Sequence, residues 1–396
     1  MSGGGYPGFM PDSAHAVRAG QARRPELDGL RGLAALSVLV FHCWLYTQVS
    51  PDATRQDGSG DVVFSQLRLG LVLFFVLSGF LLYGPWVRAA MERIEAPRIG
   101  TYAKRRALRV LPAYYLALIG SFLLLWPHAG SPGIRLPEAG ELWTFPLLIQ
   151  NYFDGPLMTL NPPMWTLVVE VSFYAVLPLI GWATVRLRPE RWAQAMLPVL
   201  LLVLGLAFNA WLNDHRADAP NQLSKLLPAM LPYFAIGMLA AVLVHGRSPS
   251  RRGGWLLLGG GALLVFLDVR WKLGAGATRP VVVTHDALAA AGFASIVAGA
   301  AAPQLRRVIG SRPLAALGSV SYAVYLWHVP LLLWARAEGL LPSSPLGAFA
   351  VALPATLAIS AASWTLVERP AIAFGRRRKQ PADAAVRLRT AAQTAR

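Results

Sequence analysis

The chain has 396 residues, 55% of them apolar and 14% charged, with a mean hydropathy of +0.45. A soluble globular chain carries about 25% charged and 45–50% apolar residues. A soluble enzyme and a disordered protein are therefore excluded, and with Cys43 as its single cysteine so is a disulfide scaffold. A net charge of +17 could signal nucleic acid, but the basic residues sit in short loops between apolar stretches, as topology signals do; no nucleic-acid partner is expected.

A polar, Gly- and Pro-rich tail runs to about Pro25. It lacks a short apolar segment before a small-residue cleavage site, so no cleaved signal peptide is expected. Ten apolar segments follow, at about 29–47, 69–87, 110–126, 164–185, 194–212, 226–245, 255–269, 281–301, 314–336 and 346–367. Runs of about 20 apolar residues are what a bilayer core of ~30 Å requires. The expected class is all-α: a polytopic protein of the cell (plasma or inner) membrane with about ten transmembrane helices. The stretch Trp143–Phe153 is too short to cross and is interrupted by Pro146 and Asn151, so a re-entrant or interfacial segment is expected near 143–160. Lys and Arg concentrate in one alternating set of loops, above all between Arg88 and Arg109 and after Arg369. That asymmetry places both termini inside. Making 143–153 a full crossing would move Arg186, Arg188 and Arg191 outside. Three parts are expected: a flexible cytoplasmic tail (1–25), one transmembrane domain (26–370) and a basic cytoplasmic tail (371–396).

Ionisable groups within spans are expensive and mark functional sites by default. In the first span Arg31 and His42 are eleven residues apart, which returns both side chains to nearly one helix face, about 16 Å apart along the axis. Asp28, three residues before Arg31, is positioned to partner it. Glu170 follows Asn161-Pro-Pro-Met-Trp-Thr-Leu-Val-Val, and His328 ends Ser321-Tyr-Ala-Val-Tyr-Leu-Trp-His. Counted from the outer ends of their helices, His42, Glu170 and His328 all fall roughly 7–12 Å below the outer boundary, and are expected to be one another's partners. An imidazole can take a proton from a hydroxyl as it attacks an acyl carbon, and a carboxylate can hold its tautomer. Asn161, Trp165 and Tyr325, in the same two stretches, are expected to contact substrate. Ser78 could be a nucleophile, but a small residue at a helix contact is the preferred reading.

On the inner side, Arg105, Arg106 and Arg109 cluster on one helical turn at the entry to the third span. Guanidinium groups bind phosphates bidentately, so a phosphate-bearing cofactor is expected there. The run Arg376-Arg-Arg-Lys379 is read as topology or contact with anionic lipid. Gly253-Gly254 and Gly259-Gly-Gly261 have no phosphate-loop context and are taken as loop or helix-packing glycines. His15, His128, His215, His245 and His285 show no metal-ligand spacing, and no metal is expected.

These residues resemble the membrane-bound acyltransferase-3 family of integral membrane O-acyltransferases, over about Arg24 to Pro370. The matching elements are Glu26-Leu-Asp-Gly-Leu leading to Arg31 and His42, Phe74-Phe-Val-Leu-Ser-Gly-Phe80, Arg105-Arg-Ala-Leu-Arg-Val-Leu-Pro112, Trp165-Thr-Leu-Val-Val-Glu170, Ser321 to His328, and Glu368-Arg-Pro370. The resemblance implies ten helices, an acyl-CoA donor (acetyl-CoA above all) taken from the cytoplasm, and transfer to a hydroxyl of a carbohydrate, glycolipid or glycosylated metabolite. It implies that His42 and Arg31 are the essential pair and that the Arg105/Arg106/Arg109 loop contacts the donor. Some members carry a further extracytoplasmic domain, which is not expected here. The resulting expectation has His42 as general base, oriented by Glu170 or His328, and Arg31 stabilising negative charge at the thioester or thiolate. The segment 127–163, with Trp143, Phe145, Asn151, Tyr152 and Asp154, is the candidate acceptor-side lid. Two alternatives stay open: a transporter with an intramembrane proton relay, for which no internal repeat is evident, and an acyltransferase whose acceptor is an intracellular metabolite.

Overall fold

The computed structural model describes residues 24–48, 59–215, 218–276, 278–284 and 286–376. Expectations for the two tails fall largely outside these residues, as do Arg55, Arg216, His15, His285 and the run from Arg377 to Lys379.

Every regular element among the described residues is helical: α1 (Pro25–Thr47), α2 (Ser59–Gln66), α3 (Gly70–Glu92), α4 (Ile99–Leu125), α5 (Trp165–Thr184), α6 (Arg191–Asp214), α7 (Leu227–Val244), α8 (Arg251–Ala275), α9 (Arg279–Thr284), α10 (Ala287–Ala300), α11 (Pro303–Ile309), α12 (Arg312–Ala337), α13 (Pro345–Ser363) and α14 (Arg369–Arg376). Eight stretches, built on α1, α3, α4, α5, α6, α7, α12 and α13, are long and apolar enough to cross a membrane. The pair α10–α11, bent by 107° at Ala301–Ala302, makes nine. The tenth expected span is the middle of α8, a helix of 25 residues whose end turns carry Arg251, Arg252, Asp268, Arg270 and Lys272 and lower its apolarity. It is held to α10 where Gly261 meets Gly292: a Cβ on either would lie 2.5 Å from the other's carbonyl oxygen.

The helices start where the sequence lets them. Proline, whose missing N–H costs nothing in the first turn, opens α1, α11 and α13, and Ser250 and Ser344 cap α8 and α13 by accepting from Gly253 N–H and Gly347 N–H. Burial then sorts them. In its most apolar stretch α12 is 72% buried and α3 67%, whereas α6 is 11% buried and shows Leu200, Val203 and Leu204 to the outside. The inner bundle is α1, α3, α5, α7 and α12, with α4, α6 and α13 around it.

The contact that positions the site is α1 against α12. Without a hydrophobic force between helices in lipid, close association relies on small residues that let backbones touch. Gly318 faces the Asp28 carbonyl, where a Cβ would sit 1.8 Å from the oxygen, and Gly32 faces the Leu314 carbonyl, where a Cβ would sit 2.9 Å from it; Gly29 packs in the same way on the Ile309 carbonyl at the end of α11. The two helices therefore run together along their length.

Between α4 and α5 the chain does not cross. It makes short 3₁₀ turns (Ala139–Thr144, Gln150–Tyr152, Pro162–Met164) and dips into the bundle. Irregular backbone at such depth must find its hydrogen bonds within the protein. Buried Asn161 donates to the Leu326 carbonyl and Ser121 Oγ (2.9 and 3.1 Å), buried Asn151 to the carbonyls of Trp165 and Lys225 (2.7 and 2.8 Å), and Tyr114 OH to the Phe145 carbonyl (2.7 Å). Leu148, Met158 and Leu160 hold positive φ (56°, 61° and 57°), a conformation that costs bulky side chains about 1–3 kcal/mol each and gathers at functional sites.

Replacing Gly318 by leucine is expected to lower the stability of the detergent-purified protein by about 3 kcal/mol or more, since the backbones must part. Gly84→Ala, at a position with open space, should leave the thermal midpoint unchanged or higher. Equal midpoints for the two variants would contradict the close α1–α12 contact.

Candidate active site

Two cavities lie along α1. The inner one, about 80 Å³, is lined by Arg31, Leu71, Phe74, Ser78, Arg106, Arg109, Thr166, Glu170, Tyr174, Ser321, Tyr322 and Tyr325 among others. The outer one, about 610 Å³, holds His42 with Arg68, Leu71, Trp165, Thr166, Lys225, Asp286 and Tyr325. Leu71, Thr166 and Tyr325 belong to both. They form a wall one side chain thick, closed by a 2.7 Å hydrogen bond between Tyr325 OH and Thr166 Oγ1 and by the bond from Tyr325 OH to the Pro163 carbonyl at 3.0 Å.

In the outer cavity the two histidines meet. His328 Nε2 lies 3.0 Å from His42 Nδ1, and the rings are 4.8 Å apart in an edge arrangement. Partners define the tautomers. His328 Nδ1 lies 3.0 Å from the Val324 carbonyl oxygen, an obligate acceptor, so Nδ1 carries the proton and Nε2 offers a lone pair. His42 Nδ1, 2.9 Å from the Val38 carbonyl, then donates between that oxygen and His328 Nε2. His42 Nε2 is left without a hydrogen bond among the described residues, its lone pair available to the cavity. His328, 1% exposed, does not line that cavity. Its Nε2 meets His42, and its ring lies 5.7 Å from that of Tyr325.

Glu170 is elsewhere. Ser78 Oγ and Tyr174 OH both donate to its Oε1 (2.8 and 2.5 Å), and it lines the inner cavity beside Arg31. The expected trio of His42, Glu170 and His328 is thus a pair plus a separate carboxylate. The depth count for Glu170 started α5 at the outer surface. Because the preceding segment dips inward, α5 starts beside α12, with Thr166 against Tyr325, and Glu170 lies roughly 10 Å inward of the histidines. Arg31 also belongs to this inner group, with Asp28 Oδ1 at 4.0 Å, and not to the site of the imidazoles.

Of the arginine cluster, Arg106 and Arg109 line the inner cavity and Arg105 does not; it is exposed on another face of α4. The Arg106 guanidinium stacks near the rings of Tyr102 and Tyr174 (6.0 and 5.9 Å), and its buried Nε has no hydrogen-bond partner. Arg109 stands 5.6 Å over Trp364, in the π-helical turn Trp364–Glu368. Such an unmatched cationic pocket fits an anionic ligand.

Among the residues expected at substrate, Trp165 and Tyr325 line the outer cavity, while buried Asn161 instead ties the re-entrant segment to α12 two residues from His328. Of the lid residues, Phe145 and Asn151 are buried anchors and Trp143, Tyr152 and Asp154 are exposed; none lines a cavity. Met158 from that segment does. Ser78 lies at a helix contact, buried on α3 and donating across to Glu170 on α5, while neighbouring Gly79 packs on Phe234 of α7. Sequence reading missed Thr166, Tyr174, Tyr322, Arg68 and Lys225. Among the described residues no group of His, Cys, Asp or Glu is placed to hold a metal ion.

The chain is a multi-pass helical bundle with an arginine-lined inner pocket and a histidine pair at an outer cavity. The profile of the acyltransferase domain (acyltransferase-3) matches residues 24–365, and the chain belongs to that family. Membership decides for an enzyme over a transporter. The chain is 24% identical to nodulation protein 10 of Rhizobium leguminosarum bv. viciae, across 91% of this chain and 96% of that protein. It is 28% identical to the exopolysaccharide production protein ExoZ of Rhizobium meliloti, across 80% and 93%. It is 22% identical to the O-acetyltransferase OatA of Staphylococcus aureus, across 87% of this chain and 57% of OatA. No solved structure matches.

Asn161→Ala is expected to remove two buried hydrogen bonds and cost about 1–3 kcal/mol, seen as faster hydrogen exchange over 139–164. Unchanged exchange there would contradict the anchoring role of Asn161.

Proposed function

We propose that the protein is an O-acyltransferase that moves an acyl group, acetyl above all, from acyl-CoA bound on the cytoplasmic side to a hydroxyl of a carbohydrate, glycolipid or glycosylated molecule in the outer cavity, all within residues 26–370. The observation that carries this reading is the free Nε2 of His42 at the outer cavity, one thin wall away from an arginine-lined inner pocket.

Arg106 and Arg109 bind the phosphates of the donor at the inner mouth, with Arg31 above them. The inner cavity is narrow, suited to an extended arm and not to a bulky head. An extended pantetheine arm is comparable in length with the 16 Å between Arg31 and His42. Tyr325 and Thr166 must part for the thioester to pass, and they close again behind it to keep water from the donor. His42 Nε2 takes the proton as the acceptor oxygen bonds to the acyl carbon. The carbon–sulfur bond breaks, and the imidazolium returns the proton to the departing thiolate. His328 holds the His42 Nδ1 proton throughout, in the role a carboxylate plays in hydrolase triads. Glu170 orders the inner pocket through Ser78 and Tyr174. The likeness to ExoZ and OatA, an exopolysaccharide production protein and an O-acetyltransferase, supports a saccharide acceptor.

His42→Ala should abolish transfer from acetyl-CoA while the protein stays folded and membrane-inserted; a fully active alanine variant would remove the proposal. Arg106→Gln or Arg109→Gln should raise the KM for acetyl-CoA roughly 10-fold or more by removing a charge-assisted contact. Arg105→Gln, on the exposed face, should leave it unchanged. Equal effects at all three positions would move the donor site out of the inner pocket.

A further inference from the structure

The outer cavity carries more cationic charge than its own carboxylates use. Its charged lining besides His42 is Arg68, Lys225 and Asp286. Arg68 is committed: both its terminal nitrogens donate to Asp286 (2.6 and 3.0 Å). Lys272, behind the cavity, also donates to Asp286 and pairs with Asp268 at 2.5 Å. Three cations and two carboxylates remain once Lys225 is counted. Lys225 has no carboxylate partner among the described residues.

What Lys225 does have is a mount. Buried Asn151, from the re-entrant segment, donates to the Lys225 carbonyl and to the Trp165 carbonyl through the same amide nitrogen. That clamp sets Lys225 beside the first residue of α5, with Nζ 4.7 Å over the Trp165 ring. A cation over an aromatic face regains part of its lost hydration while keeping its remaining N–H donors for a ligand. Lys225 is half-buried, and an ammonium partly withdrawn from water without a counter-charge is costly, a cost that an anion brought to it offsets. The cavity's about 610 Å³ is within the range of roughly 300–1,000 Å³ usual for small-molecule sites.

Resting on the acyltransferase reading, we infer that the acceptor is an acidic saccharide whose carboxylate or phosphate docks on Lys225 above Trp165 while another of its hydroxyls meets His42 Nε2. Lys225 is then the residue that selects anionic over neutral acceptors. Arg68, neutralised by Asp286, forms the fixed wall beside it.

The test uses the full chain in detergent and thermal unfolding with glucuronate, glucose 6-phosphate or glucose at saturating concentration and matched ionic strength, with coenzyme A in a parallel arm. The expected result is a midpoint about 2 °C or more higher with at least one of the anionic sugars than with glucose. The arm that shifts identifies carboxylate or phosphate. The shift should vanish in Lys225→Gln and persist in Lys225→Arg. If both anionic sugars match glucose in the wild type, or if Lys225→Gln keeps the full shift, the inference falls. The coenzyme A arm separates the two claims. Stabilisation by coenzyme A without sugar discrimination rejects only the acidic acceptor, and no stabilisation by coenzyme A rejects the donor site. Should Lys225→Gln fail to fold, the wild-type contrast and Lys225→Arg still decide.

Discussion

The close approach of α1 and α12 carries the rest. Two glycines, Gly32 and Gly318, let the helices touch backbone to backbone near their inner ends, and from there the helices stay together up to the level where His42 and His328 share a hydrogen bond at 3.0 Å. Each ring is further tied to a carbonyl of its own helix, Val38 and Val324. Two imidazoles held this way are not free to choose tautomers, and the one nitrogen left over, Nε2 of His42, is the one at the outer cavity. In the proposed mechanism that nitrogen is the base, oriented by helix packing and hydrogen bonds with no charged partner at that depth.

The re-entrant segment is the second half of the construction. Its asparagines bridge elements that no helix–helix contact would join: Asn161 to α12, Asn151 to both Trp165 and Lys225. By dipping into the bundle it starts α5 at the level of Tyr325, so that α5 contributes Thr166 to the dividing wall and Glu170 to the inner pocket. Strained positive-φ positions at Leu148, Met158 and Leu160 are tolerated because both ends of the segment are pinned. The two cavities, one lined with arginines and the other with His42 and Lys225, are a consequence of that dip.

Most of this was legible in the residues, and the misplacements have physical causes. The membrane class, the helix positions, the pairing of His42 with His328 and the separate cationic pocket of Arg106 and Arg109 follow from hydropathy, helical periodicity and the cost of charge in lipid. Glu170 lies deeper than a count from the outer surface predicts, because the re-entrant segment before it starts α5 inside the bundle. Arg105 is close in angle to Arg109 but about 100° round α4 from Arg106, and it falls on the exposed side of that turn. Asn161 binds backbone and Ser121 where the sequence suggests a ligand contact, since an amide in a sequence carries no mark of which it will bind. Lys225 carries no signal in the sequence, because only the fold brings Asn151 and Trp165 to it.

The central claim is that one path along α1 joins an inner phosphate site to the outer imidazole. A structure of the protein with a non-hydrolysable acetyl-CoA analogue tests it directly. The account predicts phosphate oxygens within hydrogen-bond distance of Arg106 and Arg109, Tyr325 displaced from Thr166, and the acyl group in the outer cavity against His42 Nε2. An analogue bound with its acyl group away from His42, or with its phosphates on the histidine side of Tyr325, would contradict it.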